Sequence, residues 1–161
     1  PLTPEQAREA GLTGPVARAS GLNDDARRGA PYDAYADLDL PERTSSAAGD
    51  TYARLAVRLD ELRASIQVAE QLIAQLPEGP LAHPYPDTLP SGETTISIEG
   101  PQGAETWQLR SAGSDHPAGV TITTASQRNL AAVPLALEGQ RLGDALLILA
   151  SLDLCIACID K

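Results

Sequence analysis

Apolar residues recur through the middle of the chain at alternating steps of four and three: Leu55, Leu59, Leu62, Ile66, Ala69, Ile73 and Leu76. That spacing marks one face of an α-helix. Asp50 stands where an N-cap carboxylate can accept from the free N–H groups of the first turn, and Pro77 with Gly79 closes the element. The pattern predicts a long helix over 50–76 packed lengthwise against other helices. Nearer the start, Thr3-Pro-Glu-Gln predicts a short helix that opens with a capping box and an early proline and stops at Gly11. Residues 11–49 show no clean period and are punctuated by Gly11, Gly14, Pro15, Gly21, Gly29 and Pro31. They read as an irregular, surface-lining segment, and a loop of that length is usually functional or draped over a partner.

Downstream of Pro80 the period shortens to two. Thr94-Thr-Ile-Ser-Ile-Glu99, Thr106-Trp-Gln-Leu-Arg110 and Val120-Thr-Ile-Thr123 alternate polar with apolar, separated by Gly, Pro, Ser and Asp. They predict a three-stranded antiparallel sheet. Helix returns over 125–137, broken at Pro134, and a buried helix over 142–152 runs into the C-terminal tail. The fold class is therefore α+β, mainly a helical bundle with a small antiparallel β-sheet subdomain. It forms one domain over 1–161: a loop-rich segment (1–49), the long helix (50–76), the sheet (93–124), and a helix with a cysteine tail (142–161).

Composition narrows the function classes. With no Phe, one Trp and four Tyr in 161 residues, the core has to be aliphatic. A formal charge of −10, with arginines scattered among the acids, argues against nucleic acid, whose phosphates demand clustered cations. No run approaches the roughly 18 apolar residues of a membrane span. The chain contains no Met, so Pro1 is expected to follow processing or to begin a piece of a longer chain. Two cysteines make no disulfide framework, which favours a reducing, cytoplasmic setting. His83 and His116 stand in loops with no partner at ligand spacing.

Both cysteines fall in the last eleven residues, Ser151-Leu-Asp-Leu-Cys-Ile-Ala-Cys-Ile-Asp-Lys161. Residues i and i+3 of a helix share a face, so Cys155 and Cys158 point the same way. Three chemistries fit such a pair: small buried hydrophobes, a redox dithiol, or half of a four-ligand metal site whose other half lies elsewhere. Asp153, in an apolar run where burial favours the protonated carboxyl, is a candidate proton carrier; helix capping is the alternative. Gln102, after Gly100-Pro101, is either a plain turn residue or part of a site lining. Arg18, Arg27, Tyr32 and Tyr35 are expected to organise the loop through hydrogen bonds and packing.

One succession of motifs carries a resemblance. Gly14-Pro-Val-Ala-Arg-Ala-Ser-Gly21, Asp25-Ala-Arg27, Pro31-Tyr-Asp-Ala-Tyr35 and Gly49-Asp-Thr-Tyr-Ala-Arg54 come first. Arg58-Leu-Asp-Glu-Leu-Arg-Ala-Ser65, Leu76-Pro-Glu-Gly-Pro80, Ile98-Glu-Gly-Pro-Gln-Gly103, Gly143-Asp144 and Ser151-Leu-Asp153 follow. Over nearly its whole length the chain resembles the C-terminal portion of the large subunit of energy-converting, formate hydrogenlyase-type nickel-iron hydrogenases. It also resembles their relative, the quinone-site 49 kDa-type core subunit of respiratory complex I, but that subunit lacks the cysteine pair, so keeping both tilts the resemblance toward the hydrogenases.

The resemblance implies that Cys155 and Cys158 are the later of two Cys-x-x-Cys pairs holding a nickel-iron centre, the first on nickel and the second bridging both metals. The earlier pair is absent, so the centre requires an N-terminal portion of the same subunit. Gln102 replaces a common arginine and Leu154 a usual proline, and Lys161 matches a maturation cleavage position. Implied partners are an iron-sulfur small subunit, whose clusters carry the electrons, and membrane subunits that hold the protein peripherally on the cytoplasmic face. The alternatives are a complex I-like NADH:quinone oxidoreductase core with vestigial cysteines, and a non-catalytic assembly subunit that docks partners through 11–49 and the long helix.

Overall fold

The computed structural model describes residues 1–41, 48–80, 82, 84 and 86–160; the expectations placed on His83 and Lys161 lie outside these. Helix α1 (Pro4–Glu9) opens on the expected capping box: the Gln6 N–H donates to Thr3 Oγ1 at 3.2 Å, and the Thr3 N–H to Gln6 Oε1 at 2.9 Å. Gly11, at φ 65°, turns the chain where an L side chain would be strained.

Helix α2 (Gly14–Ala19) departs from the surface-loop expectation, since every one of its residues is buried. Its side chains are too small and too mixed to show a period, and that smallness lets neighbouring backbone approach. Gly14, at φ 67°, lies against the backbone of Gln102 and Gly103, where an added Cβ would collide. Around α2 the main core gathers Leu2, Ala7, Leu12, Val16, Ile148 and Leu152, with Ala132 and Ala136. Only after α2 does the segment become largely exposed, with α3 (Ala26–Gly29) and one 3-10 turn (Asp33–Ala36) inside it.

Helix α4 (Thr51–Ala74) starts as expected, the Ala53 N–H donating to Asp50 Oδ1 at 2.7 Å. Its packing differs from expectation. The face against α2 and the later helix Ala145–Leu152 is Ala53, Arg54 and Val57, while the apolar stripe faces outward, with Leu55 51%, Ile66 54% and Leu76 76% exposed. The buried Arg54 guanidinium bridges elements instead, donating to Ser151 Oγ at 2.8 Å and to the Gly49 carbonyl at 2.9 Å.

Strands β1 (Gly92–Gly100), β2 (Gly103–Ser111) and β3 (Gly119–Thr123) form one antiparallel sheet in the order β1-β2-β3. Gly100 pairs with Gly103, leaving Pro101-Gln102 as a two-residue turn whose tip abuts α2. A second capping box, Thr124 with Gln127, opens α5 (Ala125–Asn129), and α6 (Ala132–Leu137) follows. Pro134 does not break the helix as expected. It is the third residue of α6, where its missing N–H has no intrahelical acceptor to lose.

Helix α7 (Ala145–Leu152) forms where predicted but is buried on one side only: Ile148, Ser151 and Leu152 are inside, whereas Leu146 is 81% exposed. It also stops before the cysteines. Asp153 takes the left-handed conformation (φ 53°), one of the few non-glycine residues that accept it, and a one-turn helix α8 (Ile156–Ile159) begins anew after Cys155.

Candidate functional site

The cysteine tail is seated on the N-terminal turn of α5. The Cys155 N–H donates to Ser126 Oγ at 3.0 Å, and the Thr124 hydroxyl donates to the Cys158 carbonyl at 2.8 Å. These two bonds, with the Cys158 N–H donating to the Cys155 carbonyl at 3.0 Å, hold the pair in one turn. Both are half-buried thiols outside any disulfide, and Cys158 Sγ donates to Cys155 Sγ at 2.8 Å. That hydrogen bond, followed by the Cys158 N–H, pulls the Cys155 thiol below its ordinary range. The shared face expected from sequence is therefore present although the helix is only one turn long.

Asp153 and Gln102 are brought together from opposite ends of the fold. The Gln102 amide donates to Asp153 Oδ2 at 3.3 Å, and Arg58 Nη2 from α4 lies 2.9 Å from the same oxygen. Asp153 is thus ion-paired and its side chain 37% exposed, a different setting from the apolar burial expected of it. Gln102 reaches the site because its turn is fastened from beneath. The Asn129 amide, fully buried, donates to the Gln102 carbonyl and the Thr13 carbonyl at 3.1 Å each, and accepts the Thr13 N–H at 2.9 Å. Gln102 is therefore both a turn residue and a neighbour of Asp153.

Beside these residues lies a cavity of about 540 Å³. Leu55, Leu59 and Leu62 form its apolar wall, Arg58 and Asp153 one polar edge, and Glu61 and Glu99 another. Those two carboxylates share one buried guanidinium: Arg18 Nε meets Glu61 Oε1 at 2.5 Å, and Arg18 Nη1 meets Glu99 Oε1 at 2.9 Å. Arg18 also donates to the Asp24 carbonyl. Burial alone would pull the Arg18 guanidinium down, but Glu61 and then Glu99 outweigh it and hold it above its ordinary value. Glu99 behaves oppositely. Its burial, helped by the nearby Asp25 carboxylate, pushes the carboxyl up further than Arg18 and the Ala26 N–H pull it down.

The loop organisers act as expected. Arg27 Nε pairs with Asp25 at 3.0 Å, its guanidinium lies over the Tyr35 ring at 5.9 Å, and the Glu99 N–H donates to the Tyr32 hydroxyl at 2.9 Å. His116 pairs with Asp115 on the surface. Sequence reading missed Arg58, Glu61, Glu99 and Asn129. Arg58 and Glu61 did leave a signal, as charges three apart beside Leu59 and Leu62, on the helix face that bounds the cavity. Glu99 stood only inside the Ile98–Gly103 motif, with no hint of its partner, and Asn129 left no signal, since their partners are distant in sequence. Neither cysteine nor Gln102 lines the cavity; Asp153 does, as do the loop organisers Arg27 and Tyr35.

Among the described residues no helix is long and apolar enough to cross a membrane. Known proteins similar to this chain include oxidoreductase subunits. It is 34% identical over 99% of its length to an NADH-quinone oxidoreductase subunit of Solibacter usitatus, covering 44% of that protein. It is 36% identical over 94% of its length to the carbon monoxide-induced hydrogenase of Rhodospirillum rubrum, covering 42%. The chain thus spans less than half the length of these relatives. A chain in the structure of the membrane-bound sulfane sulfur reductase, an archaeal respiratory membrane complex, superimposes with a TM-score of 0.90 at 33% identity, over 99% of this chain and 45% of that one. With residues 1–89 and 85–161 both matching the model for the respiratory-chain NADH dehydrogenase 49 Kd subunit, the chain belongs to that family.

Proposed function

We propose that this chain is the C-terminal, redox-site portion of a core subunit in a membrane-associated oxidoreductase complex. In that reading Cys155 and Cys158 supply two thiolates to a nickel-iron centre, completed by a second pair on the N-terminal portion of the same subunit. The observation that carries it is the seating of two adjacent thiols, the first of them two residues after a carboxylate held by Arg58 and Gln102. Similarity to the carbon monoxide-induced hydrogenase supports it further.

The donor set fits half a centre. Soft thiolates suit nickel and iron. Two thiolates on one tetrahedral metal at about 2.3 Å stand ~3.8 Å apart, so the sulfurs need to open by about 1 Å, which side-chain rotation supplies. Among the described residues no group of three or more His, Cys, Asp and Glu gathers that would complete the set. When bound, the centre supplies two-electron chemistry on hydrogen. The chain's own residues then orient and move protons: Asp153 accepts one at Oδ2, Arg58 holds that carboxylate in place, and Gln102 donates to it without adding charge. Electrons leave through an iron-sulfur small subunit, and membrane subunits hold the assembly peripherally on the cytoplasmic face.

A quinone-reducing reading is favoured by the family itself and by the cavity, whose Leu55, Leu59 and Leu62 wall faces polar Arg58 and Glu61, as a ring headgroup needs. Elemental analysis of the assembled complex separates the two. About one nickel per complex, lost with hydrogen turnover in Cys155→Ser, supports the hydrogenase reading. Nickel-free complex that reduces quinone, unaffected by Cys155→Ser, replaces it with the second.

A further inference from the structure

We propose that Cys155 and Cys158 form a reversible dithiol–disulfide couple that exchanges with small-molecule disulfides whenever the pair carries no metal. It stands on the geometry of the pair and does not require the nickel-iron reading. The sulfurs already approach to 2.8 Å, against about 2.05 Å in a disulfide, so closure asks for under 1 Å of movement. Ser126 and Thr124 fasten the turn at both ends and hold the two cysteines side by side. Both thiols are half-exposed, so a small disulfide can reach them.

Roles within the pair follow from the direction of the sulfur hydrogen bond. Cys158 donates to Cys155, so the Cys155 sulfur is the acceptor of the pair and the attacking atom. It attacks one sulfur of the small disulfide, forming a mixed disulfide and expelling the first small thiolate. Cys158 then attacks the Cys155 sulfur and expels the second. Two protein S–H bonds are lost and one S–S bond forms. Two electrons pass to the small disulfide, which leaves as two thiols carrying both protons. A closed pair cannot ligate a metal, so the same two atoms alternate between ligation and a protected oxidised form.

The test uses the full-length protein that carries this chain, prepared under metal depletion and equilibrated in a series of glutathione redox buffers. Trapping with an alkylating reagent and mass spectrometry then report the state of the tail. The expected result is one two-electron transition from doubly alkylated to unalkylated monomer. Cys158→Ser should instead accumulate a glutathione adduct on Cys155, because the resolving thiol is missing. Adducts on the unsubstituted protein, interchain dimers, or full alkylation at the oxidising end would each overturn the proposal. Nickel content of the assembled complex is measured separately, so loss of the metal reading leaves this result standing and the reverse holds too.

Discussion

Replacing Arg18 with methionine keeps most of the side-chain volume and removes the one cation that Glu61 and Glu99 share. The Arg18 and Glu99 side chains are each 2% exposed and Glu61 18%, so Glu99 is left charged in a dry environment while Glu61 can turn toward the cavity. Breaking a buried pair from one side costs about 3–5 kcal/mol. Partial resolvation of Glu61 argues for the lower half of that range, and the lost bond to the Asp24 carbonyl returns roughly 1 kcal/mol. At roughly 2–4 °C per kcal/mol for a chain of this size, the midpoint of thermal unfolding should fall by about 8–20 °C. Urea unfolding at neutral and mildly acidic pH reads the effect directly. Acid protonates the stranded carboxylates, so the loss should shrink as pH falls, and adding Glu99→Gln to Arg18→Met should restore part of it. A loss below about 1 kcal/mol, with the pH dependence of the parent protein, would refute the idea that Arg18 neutralises this pair.

Glu99→Gln alone tests the upward shift of that carboxyl. Between its unfolded value of about 4.3 and its higher folded value the folded chain binds more protons than the unfolded one, so this group's contribution to stability falls as pH rises through that window; unfolding measured from pH 4 to 8 should show the variant gaining on the parent. Gly14→Ala meets both a left-handed backbone and a collision with the Gln102–Gly103 turn, and calorimetry should report a loss of at least about 1–3 kcal/mol. Asn129→Leu strands the buried Thr13 N–H and frees the Gln102 turn; a loss of about 1–3 kcal/mol is expected for that one donor, with faster amide exchange at Thr13 in NMR. Arg58→Ala, in a pair about a third exposed, should change stability by less than about 1 kcal/mol by urea unfolding while altering the pH profile of turnover in the assembled complex.

The features legible in the sequence were those whose cause is local. Thr3 with Gln6 and Asp50 with Ala53 are caps written within four residues, and the strands announce themselves by alternation. Helix α2 was illegible because its burial depends on smallness: Gly14, Ala17 and Ala19 carry no period, and what they pack against lies far along the chain. The outward stripe of α4 shows the opposite limit, since periodicity identifies an apolar face without saying whether this chain covers it. At the site, the adjacency of Cys155 and Cys158 followed from spacing. The fastening of Gln102 by Asn129, and the sharing of Arg18 between Glu61 and Glu99, join residues up to 81 positions apart and exist only in the folded state.

The turn at Pro101-Gln102 divides the sheet into two ends with different freedom. Gly14 and Gly103 press the near end into the core, while strand β1 is exposed over its first six residues and the far turn between β2 and β3 is bonded through its Ser114 carbonyl to the Leu89 N–H, away from the residues that line the cavity. Length at residues 112–118 is consequently uncoupled from the chemistry. Evolution can lengthen, shorten or recharge that tip to suit a new neighbouring protein, with the glutamine and its carboxylate partner left where they are.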